Sequence, residues 1–112
     1  MPKLPQLSKL YLRDTKITDV GLKEVAKLTQ IKELGLGNTQ TTDAGLTDLA
    51  RLRQLWYLGL SGTQITDTGL KALAKLPKLR MLKSFHTQIT IASVVGLQKA
   101  LPKCKILHNP KK

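Results

Sequence analysis

The sequence predicts an α/β fold in which one strand–turn–helix unit is repeated along the chain. Four segments of 24 residues follow one another without a gap, and the last contains one additional residue; they begin at Leu7, Ile31, Leu55 and Leu79. Each segment starts with a strand-like apolar pattern and continues with a helix-like one. A fixed period of this length is typical of solenoids, in which each unit buries its apolar face only against its neighbours.

The first half of each repeat predicts a short strand with one buried side. The first repeat reads L-x-x-L-x-L, and its last two leucines, Leu10 and Leu12, alternate with Tyr11 and Arg13. A period of two is the pattern of a strand whose one face is buried. We therefore expect Leu10 and Leu12 to face the core. A threonine follows at the same place in every repeat, at Thr15, Thr39, Thr63 and Thr87.

The second half of each repeat predicts a short helix. Apolar residues three positions apart, such as Leu22, Val25 and Leu28, follow a T-D-x-G-L segment. An aspartate just before such a pattern can accept the free N–H groups of its own helix, and its charge suits the positive helix end. We therefore expect N-terminal caps at Asp19, Asp43 and Asp67.

Two repeats depart from this pattern. Thr41 stands where the other repeats have isoleucine, and Ile91-Ala92-Ser93 replaces the Asp-x-Gly of the other repeats. The fourth repeat therefore lacks the expected aspartate cap, which is typical of a terminal, atypical repeat.

The segment Leu101–Leu107 matches Leu76–Leu82, which predicts a fifth, short strand with Cys104 and Leu107 at apolar positions. A single cysteine excludes an internal disulfide. The neighbouring Lys103 and Lys105 are compatible with a reactive thiolate, whereas the apolar position favours a small side chain in the core.

The motif T-x-I-T-D-x-G-L-x-x-L-A-x-L resembles that of the leucine-rich repeats of the bacterial kind abundant in planctomycete-type genomes, over residues 4 to about 107. The resemblance implies a right-handed solenoid with a parallel sheet on its concave face and helices on its convex face. We therefore expect one domain over residues 1–107, made of four repeats and a short terminal strand. Residues 108–112 are expected to form a basic C-terminal tail.

The N-terminal end predicts either a fragment of a longer solenoid or self-association. Lys3–Leu7 matches Lys75–Leu79, so the chain starts at the tail of a repeat, and the first strand would expose an unpaired edge. No apolar run approaches the roughly 18 residues that span a membrane, and no signal-peptide core is present. We expect a cytoplasmic protein, or a secreted one if a leader has been removed.

The outward positions of the concave face carry the candidate binding residues. All four aromatic residues of the chain fall there, beside basic side chains. Exposed aromatic, arginine and methionine side chains have the composition of an interaction hot spot, although aromatic residues also simply suit exposed strand positions. Gly35, Gly37, Gly59 and Gly62 are expected to leave a shallow trough beside this cluster. The predicted site consists of Tyr11, Arg13, Lys32, Trp56, Tyr57, Arg80, Lys83, Phe85 and His86.

Charge keeps a second function open. The net charge is +12, and after Asp67 the chain has ten basic residues and no acidic one. A positive half of this kind attracts nucleic acid or other polyanions, and Arg80, Lys83 and the C-terminal lysines would bind them. We favour a protein–protein interaction module over this alternative and over a purely structural segment of a longer solenoid.

The sequence argues against an enzyme. His86 and His108 are the only histidines and are not at metal-ligand spacing, and neither a nucleophile elbow nor a phosphate-binding glycine loop occurs. We expect no catalytic residue, metal or cofactor.

Overall fold

The computed structural model describes residues 7–109, in which five short strands alternate with four α-helices. The strands are β1 (Lys9–Tyr11), β2 (Glu33–Gly35), β3 (Tyr57–Gly59), β4 (Met81–Lys83) and β5 (Lys105–Leu107). The helices are α1 (Asp19–Val25), α2 (Asp43–Leu49), α3 (Asp67–Ala72) and α4 (Ile91–Ala100), and a 3₁₀ turn, Leu73–Lys75, follows α3. The predicted strand–turn–helix repeat is confirmed.

The strands form one parallel sheet in chain order, β1-β2-β3-β4-β5. Residues 24 positions apart lie side by side, so that Leu10, Leu34, Leu58, Leu82 and Ile106 form one row across the sheet. Leu34, Leu58 and Leu82 of this row have no exposed surface. Since β1 pairs with a described strand on one side only, Leu10 is only partly buried.

The aspartates do not cap their own helices, and that prediction was wrong. Thr42, Thr66 and Thr90 occupy the N-cap positions, and each hydroxyl accepts an N–H bond from its own helix. The aspartate is the first residue of the helix, where its side chain points back past the helix start towards the next repeat.

Each of these carboxylates binds the N-cap threonine of the following repeat. Asp43 accepts the Thr66 backbone N–H at 2.8 Å and the Thr66 hydroxyl at 2.5 Å. The same two bonds join Asp19 to Thr42 and Asp67 to Thr90. We call these three pairs the Asp–Thr ladder. Ile91 replaces the aspartate in the fourth repeat, so the ladder does not continue from α4.

The glycine of T-D-x-G-L allows the ladder to form. A Cβ atom on Gly45 would lie 2.4 Å from Asp19 Oδ1, and one on Gly69 would lie 2.2 Å from Asp43 Oδ1. Any larger residue would therefore push the neighbouring carboxylate from its threonine. The recurring spacing of aspartate and glycine in the repeats thus reflects a packing requirement between successive helices.

Asp67 makes the ladder sensitive to acid. Burial raises the pKa of its carboxyl, but the Thr90 backbone N–H and the hydroxyls of Thr90 and Ser93 outweigh burial. With the nearby Lys71 ammonium, they bring the pKa below its usual value. A lowered pKa stabilises the fold above the unfolded pKa of about 4, and that contribution is lost as the pH falls through the folded pKa.

We therefore expect Asp67→Asn to lower the free energy of unfolding most at about pH 6, and by progressively less below about pH 4. Urea titrations of both proteins across this range measure the difference. A difference that is the same at every pH would show that the Asp67 charge makes no contribution to stability.

The threonines at the fixed place close the turn after each strand. The hydroxyls of Thr15, Thr39 and Thr63 each donate to the carbonyl three residues earlier at 2.7 Å. Thr41, which replaces an isoleucine, is fully buried, and its hydroxyl lies 2.8 Å from that of Thr39. The polar residue is thus accommodated because it has a hydrogen-bond partner.

The fifth strand is present, but its register differs from the prediction. Cys104 is buried in the core as the apolar pattern predicts, and burial raises the pKa of its thiol despite the nearby Arg80. Ile106, not Leu107, pairs with Leu82. The fourth repeat contains one additional residue, which lies in the longer helix α4. Cys104 is two positions before the strand residue Ile106, whereas Leu79 is three positions before its equivalent, Leu82.

The described chain remains attached to the sheet after β5. The Asn109 side chain accepts the backbone N–H of His86. The predicted tail therefore starts with residues that contact the fold, and residues 110–112 lie outside the described range. None of the helices within residues 7–109 is long and apolar enough to cross a membrane.

Candidate binding surface

The side of the sheet turned away from the helices presents two rows of side chains. The strand register aligns Lys9, Glu33, Tyr57, Met81 and Lys105 in one row. A second row consists of Tyr11, Gly35, Gly59, Lys83 and Leu107. We call the surface formed by these rows and the residues flanking them the sheet face.

An aromatic pair with a cation lies at the centre of the sheet face. Trp56 and Tyr57 contact each other edge to face, with ring centroids 6.0 Å apart and an interplanar angle of 62°. The Lys83 ammonium lies 5.8 Å from the centre of the Tyr57 ring, within cation–π range. Trp56 is 41% exposed, whereas the core residues next to it in the sequence are completely buried. We call these three residues the aromatic cluster.

A second group of side chains lies towards β1. The Tyr11 hydroxyl donates to the Glu33 carboxylate, and the Lys9 ammonium lies 3.7 Å from the same carboxylate. The hydrogen bond to Glu33 raises the pKa of the Tyr11 phenol, with smaller contributions from burial and from the Glu33 charge. The Tyr11 ring is thus oriented by a carboxylate, although the residue is 58% exposed.

The predicted glycine trough is filled by neighbouring side chains. The Tyr11 ring lies over Gly35, where an added Cβ would be 2.9 Å from Tyr11 Cδ1. Arg13 covers Gly37, and the Tyr57 side chain leans over Gly59. Long outward side chains pack onto adjacent glycines because these have no Cβ atoms to exclude them. The trough prediction was therefore wrong, and the rings form the surface itself.

The structure brings together only some of the predicted site residues. Lys32 is exposed and directly precedes β2, beside the aromatic cluster. Its backbone carbonyl accepts the Trp56 backbone N–H. The Arg80 guanidinium donates to the carbonyls of Pro77 and Leu79 and so points towards its own turn. Phe85 is half-buried after β4, where its backbone N–H donates to the Ser61 hydroxyl.

His86 belongs to a set of turn residues that the sequence reasoning missed. Its φ of 58° is left-handed, as are those of Asp14, Asn38 and Gly62 at the equivalent places of the other repeats. Asparagine, aspartate, histidine and glycine are the residues that tolerate this conformation best. Their occurrence at one repeat position was the available signal. The backbone conformation thus accounts for the position of His86 in the repeat.

Glu33 is a residue of the sheet face that sequence reasoning left out of the site. It is the one acidic side chain in the aligned rows, and it binds both Tyr11 and Lys9. Within residues 7–109, no group of histidine, cysteine and acidic side chains is arranged to hold a metal ion.

Comparison with known proteins agrees with the repeat geometry. Residues 3–26 and 55–74 match the protein family described as Leucine Rich repeat. Internalin C2 of Listeria monocytogenes str. 4b F2365 is 31% identical over 93% of this chain, with a TM-score of 0.77. The fold is that of a leucine-rich-repeat solenoid. The sheet face is therefore the concave side of the leucine-rich-repeat solenoid, and the helices form its convex side.

Two further structures extend the comparison. Internalin F of the same organism is 21% identical over 92% of this chain, with a TM-score of 0.55. Leiomodin-1 actin-binding site 2 is 18% identical, with a TM-score of 0.74, over 96% of this chain and 73% of that one. The chain spans only 42% of internalin C2 and 41% of internalin F. No curated protein matches the chain in sequence.

Proposed function

We propose that this leucine-rich-repeat solenoid is a protein-binding module whose partner contacts the concave face at the aromatic cluster. The observation that carries the proposal is the exposed Trp56–Tyr57 pair with Lys83 at its edge. Tryptophan and tyrosine are enriched among the residues that dominate interface energies, because each buries a large area and loses few rotamers. A stable fold has no need of tryptophan at an exposed position.

The surrounding residues support a preorganised surface. The Tyr11 ring is oriented by Glu33 and lies against Gly35, and the Tyr57 ring lies against Gly59. Side chains that are already ordered lose less entropy on binding. The actin-binding site of leiomodin-1 shares this fold, which supports protein binding as the general activity.

The experiment that tests the proposal first identifies a partner by photocrosslinking. A photoreactive amino acid replaces Trp56, and a matched probe replaces the exposed Val20 on α1 of the convex side. A partner that is captured only from position 56 is purified, and its Kd is measured. We expect Trp56→Ala and Tyr57→Ala each to weaken binding by about tenfold or more, since hot-spot truncations cost about 2 kcal/mol.

Val20→Ala should leave the same Kd unchanged, and circular dichroism should show all three variants to be folded. Equal affinity of the wild type and the Trp56→Ala/Tyr57→Ala double variant would contradict the proposal. It would instead favour a solenoid segment with a structural role.

The charge distribution favours polyanion binding as a second candidate function. All three salt bridges described within residues 7–109 lie before residue 34, whereas the sequence after Asp67 has ten basic residues and no acidic one. Affinity for single-stranded DNA of about 20 nucleotides should then fall by orders of magnitude between about 50 and 200 mM salt. Binding through the aromatic cluster should change little over this range.

A further inference from the structure

A groove lies between α3 and α4 on the convex side, away from the aromatic cluster. Its volume is about 470 Å³. Its lining is mostly apolar, with contributions from Leu70, Ala74, Ala92, Gly96, Leu97 and Ala100. Leu70 and Leu97 belong to the core and form the floor, whereas the small residues of α4 form one wall.

The groove has a specific cause in the sequence. In α2 and α3, Gly45 and Gly69 let the helix contact the aspartate of the preceding repeat closely. Ser93 stands at the equivalent position of α4, and its Cβ and hydroxyl need space beside Asp67. A Cβ atom on Gly96 would meet no heavy atom within 4 Å.

The wall that α4 contributes to the groove would let a second helix approach closely. Ala92, Gly96 and Ala100 follow one another at intervals of four residues, so they form a line of small residues along the side of α4 that borders the groove. Small residues let a second backbone approach to a short interhelical distance. Next to this line, Ile91 and Val95 are 39% and 48% exposed, and they extend the apolar surface beyond the groove.

The charges near the groove indicate which residues a bound helix would carry on either side of its apolar stripe. Lys71 lines the groove, and every charged residue after Asp67 is basic. The Asp67 carboxylate also lines the groove near Lys71, and it accepts two hydrogen bonds from Thr90. The ten basic residues that follow Asp67 give this end of the chain a positive potential, which favours an acidic partner.

We propose that the α3–α4 groove binds an acidic amphipathic helix of a partner protein. The apolar stripe of that helix would contact Leu70, Gly96 and Leu97, and its flanking carboxylates would face Lys71. This site is independent of the aromatic cluster, since it lies on the opposite side of the sheet. One chain can thus bind two proteins at once.

A labelled model peptide tests the proposal with the complete chain. The probe is a helical peptide of about 18 residues with a leucine stripe at positions i, i+3 and i+4 and with glutamates on its flanks. A matched peptide has lysines in place of the glutamates. Fluorescence anisotropy measures the Kd of each peptide, and amide chemical shifts locate the site.

Gly96→Phe is the blocking variant, and Gly96→Ala is its matched control, because both change the same helical residue but only phenylalanine fills the groove. We expect Gly96→Phe to weaken binding of the acidic peptide by about tenfold or more. Gly96→Ala should bind like the wild type, and the lysine peptide should bind at least tenfold more weakly. Chemical shift changes should be concentrated on α3 and α4.

Three results would overturn the proposal. The first is undiminished binding to folded Gly96→Phe, and the second is equal affinity for the two peptides. The third is a dimer in sedimentation that Gly96→Phe dissociates, because a second copy would then occupy the groove. Trp56→Ala/Tyr57→Ala should leave peptide affinity unchanged, so failure here is distinguishable from failure of the concave-face proposal.

Discussion

Replacing Asp43 by alanine is expected to lower the free energy of unfolding by about 3 kcal/mol. The substitution removes two hydrogen bonds to a charged acceptor, each of which contributes about 1.5–3 kcal/mol when intact. We take the lower end of their sum because Asp43 is only half-buried and water can reach the Thr66 groups left behind. Urea unfolding followed by circular dichroism measures the loss.

Asp48→Ala is the matched control, since Asp48 lies in the same helix and has no hydrogen-bond or ion-pair partner for its carboxylate within residues 7–109. Its effect should stay within about 0.5 kcal/mol. Because Asp43 joins the second repeat to the third, its loss should also make unfolding less cooperative and lower the m-value. Equal stability of the two variants would show that the Asp–Thr ladder contributes nothing.

Gly69→Ala and Gly96→Ala are expected to change stability in opposite directions. Alanine in a helix is ordinarily favoured over glycine by about 0.5–1 kcal/mol. At Gly96 the new methyl group meets open space, so we expect that full gain. At Gly69 it would lie 2.2 Å from Asp43 Oδ1 and 2.9 Å from Leu46 Cδ1.

Displacement of the Asp43 carboxylate should outweigh the helix preference, and we expect Gly69→Ala to lose about 2 kcal/mol. Thermal unfolding of the two variants under one set of conditions shows whether each substitution raises or lowers the stability. In the double variant Asp43→Ala/Gly69→Ala, the penalty of the second substitution should largely vanish, because no carboxylate remains to be displaced. If Gly69→Ala lowered the stability equally in the Asp43→Ala background, displacement of the Asp43 carboxylate would not be the reason for the loss.

The repeat period made most of the fold predictable from the sequence. Because residues 24 positions apart lie side by side, one assigned strand placed Leu34, Leu58 and Leu82 in the core together. The fifth strand was predictable for Cys104 but not for Ile106. The additional residue in α4 and the missing residue before β5 cancel in the strand register, and a periodic sequence pattern cannot reveal two changes that cancel.

Contacts between repeats were harder to predict than positions within them. A cap is a local interaction, so sequence reasoning assigned Asp19 and its equivalents to their own helices, whereas their bonds are made to residues 23 positions away. The outward positions of Trp56 and Tyr57 followed from strand alternation. The direction in which Tyr11 and Tyr57 lean did not, because it depends on which neighbour lacks a Cβ atom.

The replacement of the repeat glycine by Ser93 also has a consequence for the shape of the solenoid. Paired strands stay about 4.8 Å apart whatever the helices do. The curvature of the arc is therefore determined by the spacing of the helices on its outer side, where Ser93 stands between the third and fourth repeats in place of the glycine of the other repeats. A larger side chain at this position would favour stronger bending, whereas glycine would favour a flatter arc. A side chain on the outer surface would thus adjust how closely the two ends of the inner surface approach each other.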